Sequence, residues 1–230
     1  AYRRVGSAGE PGRVIAFDGV YKFYRTEGRP KVVLDHVDAV FEDGVSYGLL
    51  GVNGAGKSTT LRVMAGVELV NGGRVRRNLR VSWPLGFANG FHPMMTGREN
   101  VHFVARVYGE DPLQVARFVE DFAEIGDYMD QPFRTYSSGM MARLAFGLSM
   151  AIAFDCYLID EITAVGDARF QSRCADAFDA RRQGADLIVV SHSMETITRY
   201  CDRGALLVDG RLIMYPTADE AVAAYLRVNR

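Results

Sequence analysis

The sequence predicts an α/β fold: a P-loop core, an N-terminal antiparallel β subdomain, and a helical subdomain inserted into the core. Three observations predict it. The run Gly51-Val52-Asn53-Gly54-Ala55-Gly56-Lys57-Ser58-Thr59 fits the phosphate-loop pattern G-x-x-x-x-G-K-[ST]. It lies between the apolar run Tyr47-Gly48-Leu49-Leu50 and the segment Thr60-Leu61-Arg62-Val63-Met64-Ala65, so it joins a buried strand to a helix, the context the pattern requires. Two later apolar runs, Cys156 to Ile159 and Leu187 to Val190, read as further strands, and before them, from about Thr96 to Met150, the periodicity turns helical.

In chain order, residues 1–12 are rich in Gly, Arg and Ser and are expected to be loose; they lack the apolar centre of a secretion signal. Val14 to Phe17 and Val32 to Phe41 read as strands, the second partly alternating, and Glu42-Asp43-Gly44 signals a turn. After the P-loop unit, Asn71-Gly72-Gly73 is a second turn, and Arg74 to Val81 reads as an exposed, basic strand. In the helical stretch Phe103, Val107, Val115, Phe118, Val119 and Phe122 recur at roughly helical spacing, punctuated by Pro112 and Pro132. The last two strands, Ala205 to Val208 and Arg211 to Met214, are joined by Asp209-Gly210, a hairpin signal. A short helix from Ala218 to Arg227 follows. The expected organisation is one domain over 1–230, with about 13–84 and 154–230 as core and about 85–150 as the helical subdomain.

At 230 residues and 48% hydrophobic, the chain can bury a full core. A net charge of −1 supplies no global field towards nucleic acid, which is not an expected partner. No apolar stretch approaches the ~20 residues of a membrane-spanning helix. The three cysteines, Cys156, Cys174 and Cys201, form no C-x-x-C pair and suit a reducing compartment, with Cys156 inside an apolar strand.

The loop carries the first half of a site. Glycines let backbone wrap a phosphate, and the loop N–H groups with the helix N-terminus face the anion. Asn53, Gly54, Gly56, Lys57, Ser58 and Thr59 are thus expected to bind nucleotide, with Lys57 on the β- and γ-phosphates and Ser58 on Mg²⁺. The second half is Asp155-Cys156-Tyr157-Leu158-Ile159-Asp160-Glu161, an apolar strand ending in two carboxylates. Asp160 suits the metal, and Glu161 suits a base that orients the attacking water. In Ser191-His192-Ser193 the histidine follows a strand and is placed near the γ-phosphate, whereas His36, His92 and His102 read as ordinary satisfied histidines. Tyr136-Ser137-Ser138-Gly139-Met140 opens a helix; Ser137 or Ser138 is the expected N-cap, and the turn can hold an anion.

In this order and spacing the P-loop, the Ser-x-Gly turn, Asp-Glu and Ser-His resemble the nucleotide-binding subunit of an ATP-binding cassette (ABC) transporter, from about Val14 to the C-terminus. The resemblance implies ATP with Mg²⁺ and a head-to-tail dimer in which Ser137 and Gly139 of one copy contact the γ-phosphate held by the other. Asp167 in Ala164-Val165-Gly166-Asp167 would be the acid at the dimer interface, His192 a switch histidine, and Tyr24 the ring stacked on adenine, with Tyr21 and Phe23 as alternatives. Two departures stand out. The usual Leu-Ser-Gly-Gly-Gln becomes Tyr136-Ser137-Ser138-Gly139-Met140, and no glutamine occurs between Lys57 and Gln114 to meet Mg²⁺ and water; Asn89 is the nearest substitute.

Five runs narrow the resemblance to the ATPase subunit of capsular polysaccharide exporters: Ser82-Trp83-Pro84, Thr96-Gly97-Arg98-Glu99-Asn100, Phe103-Val104-Ala105-Arg106, Tyr136 to Met140, and Ala164 to Phe170. This implies two transmembrane permease subunits in the bacterial inner membrane, a place on its cytoplasmic face, and periplasmic and outer-membrane components beyond. Related O-antigen or teichoic acid exporters and a soluble ABC ATPase are the alternatives. About 15 residues follow the last strand, too few for an added carbohydrate-binding domain. Phe87 to Asn100 is the expected transmitter. Its apolar Phe91, Pro93, Met94 and Met95 either form a groove for a permease helix or pack locally.

Overall fold

Two sheets meet at the phosphate loop. A computed structural model describes residues 14–25, 28, 30–85, 90–160, 168–182, 184–191 and 193–229. The first sheet is antiparallel, with β1 (Val14–Arg25) between β2 (Pro30–Glu42) and β4 (Gly72–Arg77). The second contains β3 (Tyr47–Leu50), β5 (Cys156–Asp160), β6 (Asp186–Val190), β7 (Arg203–Val208) and β8 (Arg211–Tyr215), in the order β5-β6-β3-β7-β8. All neighbours in it are parallel except the hairpin β7–β8. The hairpin turns at Asp209 and Gly210, both at positive φ (47° and 77°), as a two-residue primed turn demands. The Gly210 carbonyl accepts from Asp35 N–H at 2.8 Å, tying this hairpin to β2.

The parallel strands are buried on both faces, and their residues sort by alternation. Tyr47, Leu49, Leu158, Ile188, Val190, Ala205 and Leu207 join the antiparallel sheet and α1 (Lys57–Ala65) in one apolar cluster. Leu50, Tyr157, Ile159, Leu187, Val189 and Leu206 face the other way, into a cluster that holds the remaining helices. Those helices are α2 (Gly97–Val107), α3 (Pro112–Ala123), α4 (Ser138–Ala151), α5 (Ala168–Arg182), α6 (Met194–Tyr200) and α7 (Ala218–Val228). Side chains start most of them. Thr96 and Glu99 form a capping box on α2, Asp111 caps α3 ahead of Pro112, and Ser137, Ser193 and Thr217 cap α4, α6 and α7.

Several expectations are refined. The first strand runs well past Phe17, and the basic strand ends at Arg77 rather than Val81. β4 is exposed, as expected, but Arg77 has structural work: its guanidinium donates to the Met64 carbonyl at 2.5 Å and to that of Val63, satisfying the end of α1. Phe103 and Val107 lie on the exposed side of α2, at 57% and 64% accessibility, because the helix presents Val101 and Ala105 to the core. Ser82-Trp83-Pro84 runs beside β5: Ser82 N–H donates to Cys156 O, and Leu158 N–H donates to Ser82 Oγ, each at 2.9 Å. Trp83 then packs edge-on against Tyr108 and Phe154, each with centroids 5.4 Å away, and so joins the end of α2 to the sheet.

Candidate nucleotide site

β3, β5 and β6 end together, and their C-terminal ends are where a doubly wound sheet places its ligand. β3 ends at Leu50, and the glycine-rich loop turns the chain into α1. Gly54 and Gly56 have φ of 77° and 109°, conformations a side chain resists. At Gly56 there is also no room, since a Cβ would lie 2.1 Å from Val33 Cγ1 on β2. The loop is therefore held against the antiparallel sheet, with the first N–H groups of α1 at its mouth.

A cavity of about 560 Å³ opens there, lined by Tyr24, Lys31, Val33, Asn53, Gly54, Gly56, Lys57, Ser58, Thr59, Asp160 and Val190. It gathers Tyr24, the six loop residues expected from the sequence, and Asp160. The Lys57 ammonium donates to Gly51 O at 2.7 Å and Val52 O at 3.2 Å and so lies over the loop. Ser58 and Asp160 offer a hydroxyl and a carboxylate oxygen to the same space. Hard oxygen donors of this kind fit Mg²⁺, which binds through one or two protein groups and substrate phosphates.

Of the three candidate aromatics only Tyr24 lines the cavity. Tyr21 instead stacks on His36, centroids 4.8 Å apart, and lies 5.6 Å from Phe23. The Tyr24 hydroxyl donates to Glu68 and sits 3.3 Å from Thr59 Oγ1. Lys22 and Arg62 close on the same carboxylate, each at 2.8 Å. Burial alone would raise the Glu68 carboxyl, but hydrogen bonds from Lys22, Tyr24 and Arg62 outweigh it and bring the pKa down to about 2. Sequence reasoning missed Glu68 and Lys31. Glu68 belongs to no motif, and its partners lie on two different elements. Lys31 stands at the start of β2 with nothing in its spacing to mark it.

Ser137 and Gly139 are not in this cavity. They lie exposed at the start of α4, where Ser137 Oγ accepts from Met140 N–H at 3.2 Å. That answers the choice of N-cap in favour of Ser137 over Ser138. Glu161, Asp167, His192 and Asn89 lie outside the described residues. Phe91 packs on Phe133 with centroids 5.0 Å apart, while Met94 is 61% exposed, so the apolar run there divides between packing and surface. All three cysteines are buried. Burial pushes the thiols of Cys174 and Cys201 up to about 11 and about 12, and that of Cys156 higher still, which keeps them protonated and unreactive.

The profile of the ABC transporter family matches residues 34–164, from β2 through the loop to just beyond Asp160. The chain belongs to the ABC transporter family. Polysialic acid transport ATP-binding protein KpsT of Escherichia coli is 47% identical over 92% of this chain and 98% of the relative. Capsule polysaccharide export ATP-binding protein CtrD of Neisseria meningitidis serogroup B is 42% identical with the same coverage of each. A dimeric structure of the ATP-binding cassette MJ0796, in a post-hydrolysis state bound to ADP and Pi, superposes with a TM-score of 0.70 at 19% identity. The match covers 89% of this chain and 98% of that one. The fold is therefore that of an ATP-binding cassette, the chain is an ABC-type ATPase, and nucleotide is its ligand. Among the described residues no helix of this ABC ATPase is long and apolar enough to cross a membrane.

Proposed function

We propose that this chain binds ATP with Mg²⁺ and, as a head-to-tail pair, hydrolyses it to drive export of a lipid-linked capsular polysaccharide. It would act through membrane-spanning permease subunits on the cytoplasmic face of the bacterial inner membrane, with periplasmic and outer-membrane components continuing the route. The observation that carries this reading is near full-length identity of 42–47% to ATP-binding subunits named for polysialic acid transport and capsule export.

The chemistry follows from the cavity. Loop N–H groups and the α1 N-terminus receive the phosphates, and Gly54 and Gly56 let the backbone approach them. Lys57 leaves its carbonyl partners for the β- and γ-phosphates, while Tyr24 offers its ring to the base. Ser58 and Asp160 would hold Mg²⁺, whose charge would offset that on the transferring phosphoryl group. Glu161, next after Asp160 on the chain, orients the attacking water, and His192 contacts the γ-phosphate. Ser137 and Gly139 of a second copy complete the site; their exposure at the start of α4 leaves them available for that contact. Asp167 acts at the interface. With no glutamine between Lys57 and Gln114, Asn89 would be the nearest substitute for the metal and water contacts, a weak one at shorter reach.

The test is purification of the tagged chain from membranes of its source. The expected result is a polytopic permease in the complex, with ATP turnover that Lys57→Ala abolishes and loss of surface polysaccharide in cells relying on Glu161→Gln. A chain that purifies without membrane protein and leaves surface polysaccharide untouched would favour a soluble ATPase instead.

A further inference from the structure

The wall of the cavity behind Tyr24 is built from ionic groups that nothing in the phosphate chemistry requires. Lys22 and Tyr24 are two residues apart on β1 and so share a face of the strand. Glu68 follows the end of α1, and its N–H donates to the Arg62 carbonyl at 3.2 Å, which anchors it to the helix that starts at the phosphate loop. Its carboxylate accepts from Lys22 Nζ at 2.8 Å, from Arg62 Nε at 2.8 Å and from the Tyr24 hydroxyl. Lys22 Nζ also donates to Leu69 O at 2.8 Å and lies 4.9 Å from the Tyr24 ring centroid, over one face of the ring. Arg62 Nη2 donates to Thr59 Oγ1 at 3.1 Å and approaches the Tyr24 oxygen at 3.4 Å.

Each donor leaves Glu68 only one role. An ionised carboxylate only accepts, and ammonium and guanidinium groups only donate, so the phenol must spend its proton on Glu68. A hydrogen bond to a charged acceptor is stronger than a neutral one, and Glu68 is only 17% exposed. The ring is thereby held at its hydroxyl end, with Lys22 Nζ over one face, while Tyr24 also lines the cavity.

We infer that Glu68 is a positioning residue for the nucleotide base: held by Lys22 and Arg62, its carboxylate tethers the Tyr24 hydroxyl and sets the plane of the ring on which the base stacks. This rests on the ATP-site reading above. It makes Glu68 the link between the base platform on β1 and the phosphate loop that opens α1.

The role is tested by measuring the affinity of the full chain and its variants for ATP and, separately, for inorganic tripolyphosphate, which has no base. Glu68→Ala and Tyr24→Phe are each expected to weaken ATP about two- to tenfold, the scale of an aromatic contact, without weakening tripolyphosphate. Glu68→Gln preserves the shape and covers the case in which Glu68→Ala does not fold; it should show the same base-selective loss at smaller amplitude. Glu68→Gln combined with Tyr24→Phe should be no weaker than Tyr24→Phe alone, since both cut one tether. Unchanged ATP affinity in the Glu68 variants, equal weakening of ATP and tripolyphosphate, or additive effects would overturn the role. A wild-type chain that binds tripolyphosphate but shows no added affinity for ATP would overturn the base-stacking reading itself.

Discussion

Lys57 and Glu161 are expected to fail in opposite ways. On the proposed reading the Lys57 ammonium serves bound phosphate, so Lys57→Ala should weaken ATP binding by about 2 kcal/mol, roughly 30-fold, the worth of a charge-assisted hydrogen bond. Glu161→Gln should leave binding intact and slow turnover by about 10²- to 10³-fold, since only the alignment of water is lost. Equilibrium nucleotide binding beside steady-state turnover separates the two. Glu68 adds a pH signature. Its folded pKa of about 2 lies below the ordinary value of 4.5. The folded form therefore binds the proton less readily than the unfolded chain, and the stabilisation is full above about pH 4.5 and fades as pH falls towards 2. Denaturant unfolding should show wild type more stable than Glu68→Gln at pH 7, with the gap shrinking as pH falls through that window. A gap that stayed constant down to pH 2 would show that the charge of Glu68 contributes nothing.

At the scale of elements, Ser137 caps α4, and the proposed dimer would give it a second duty that can be pulled apart from the first. Its hydroxyl caps the helix, so Ser137→Ala should cost about 1 kcal/mol of stability, whereas Ser137→Gly should cost only a few tenths. If the hydroxyl also meets a γ-phosphate across a dimer, turnover should fall in both variants, and thermal melts alongside turnover assays distinguish capping from contact. The same comparison of elements shows what the sequence makes legible. Contiguous spacing reveals the strand, loop and helix from Tyr47 to Ala65, and an apolar run ending in acid reveals β5 and Asp160. Periodicity also reveals α2, yet it does not say which face of that helix the rest of the molecule covers. Phe103 and Val107 therefore look like core and lie outside, while Val101 and Ala105 are buried. Glu68 was invisible for a related reason. Its donors come from β1 and α1, and only the packing of that strand on that helix brings residues 22, 24 and 62 to one carboxylate.

For the whole molecule, the separation of Ser137 and Gly139 from the cavity lining is the fact with the most consequence. A composite site, with the loop from one copy and the Ser137 turn from another, predicts that two defective chains rescue each other. Lys57→Ala destroys the loop half, and Ser137→Arg, a bulky cation at an exposed position, blocks the other half. Each variant alone should be inactive, because every site in its dimer carries that defect. In a mixed pair one site inherits both defects, but the other combines the intact loop of the Ser137→Arg copy with the intact turn of the Lys57→Ala copy. Random pairing at equal concentrations makes about half the dimers mixed, so about a quarter of all sites should be restored, as symmetry of a head-to-tail dimer requires. Turnover measured on the separate and mixed variants, assembled with the permease, reads this directly. Mixtures no more active than the sum of the separate variants would mean that each chain builds its site alone or that one good site is not enough. Trapping of labelled nucleotide in the mixed dimers separates these, since a composite site would still close on ATP once per mixed pair.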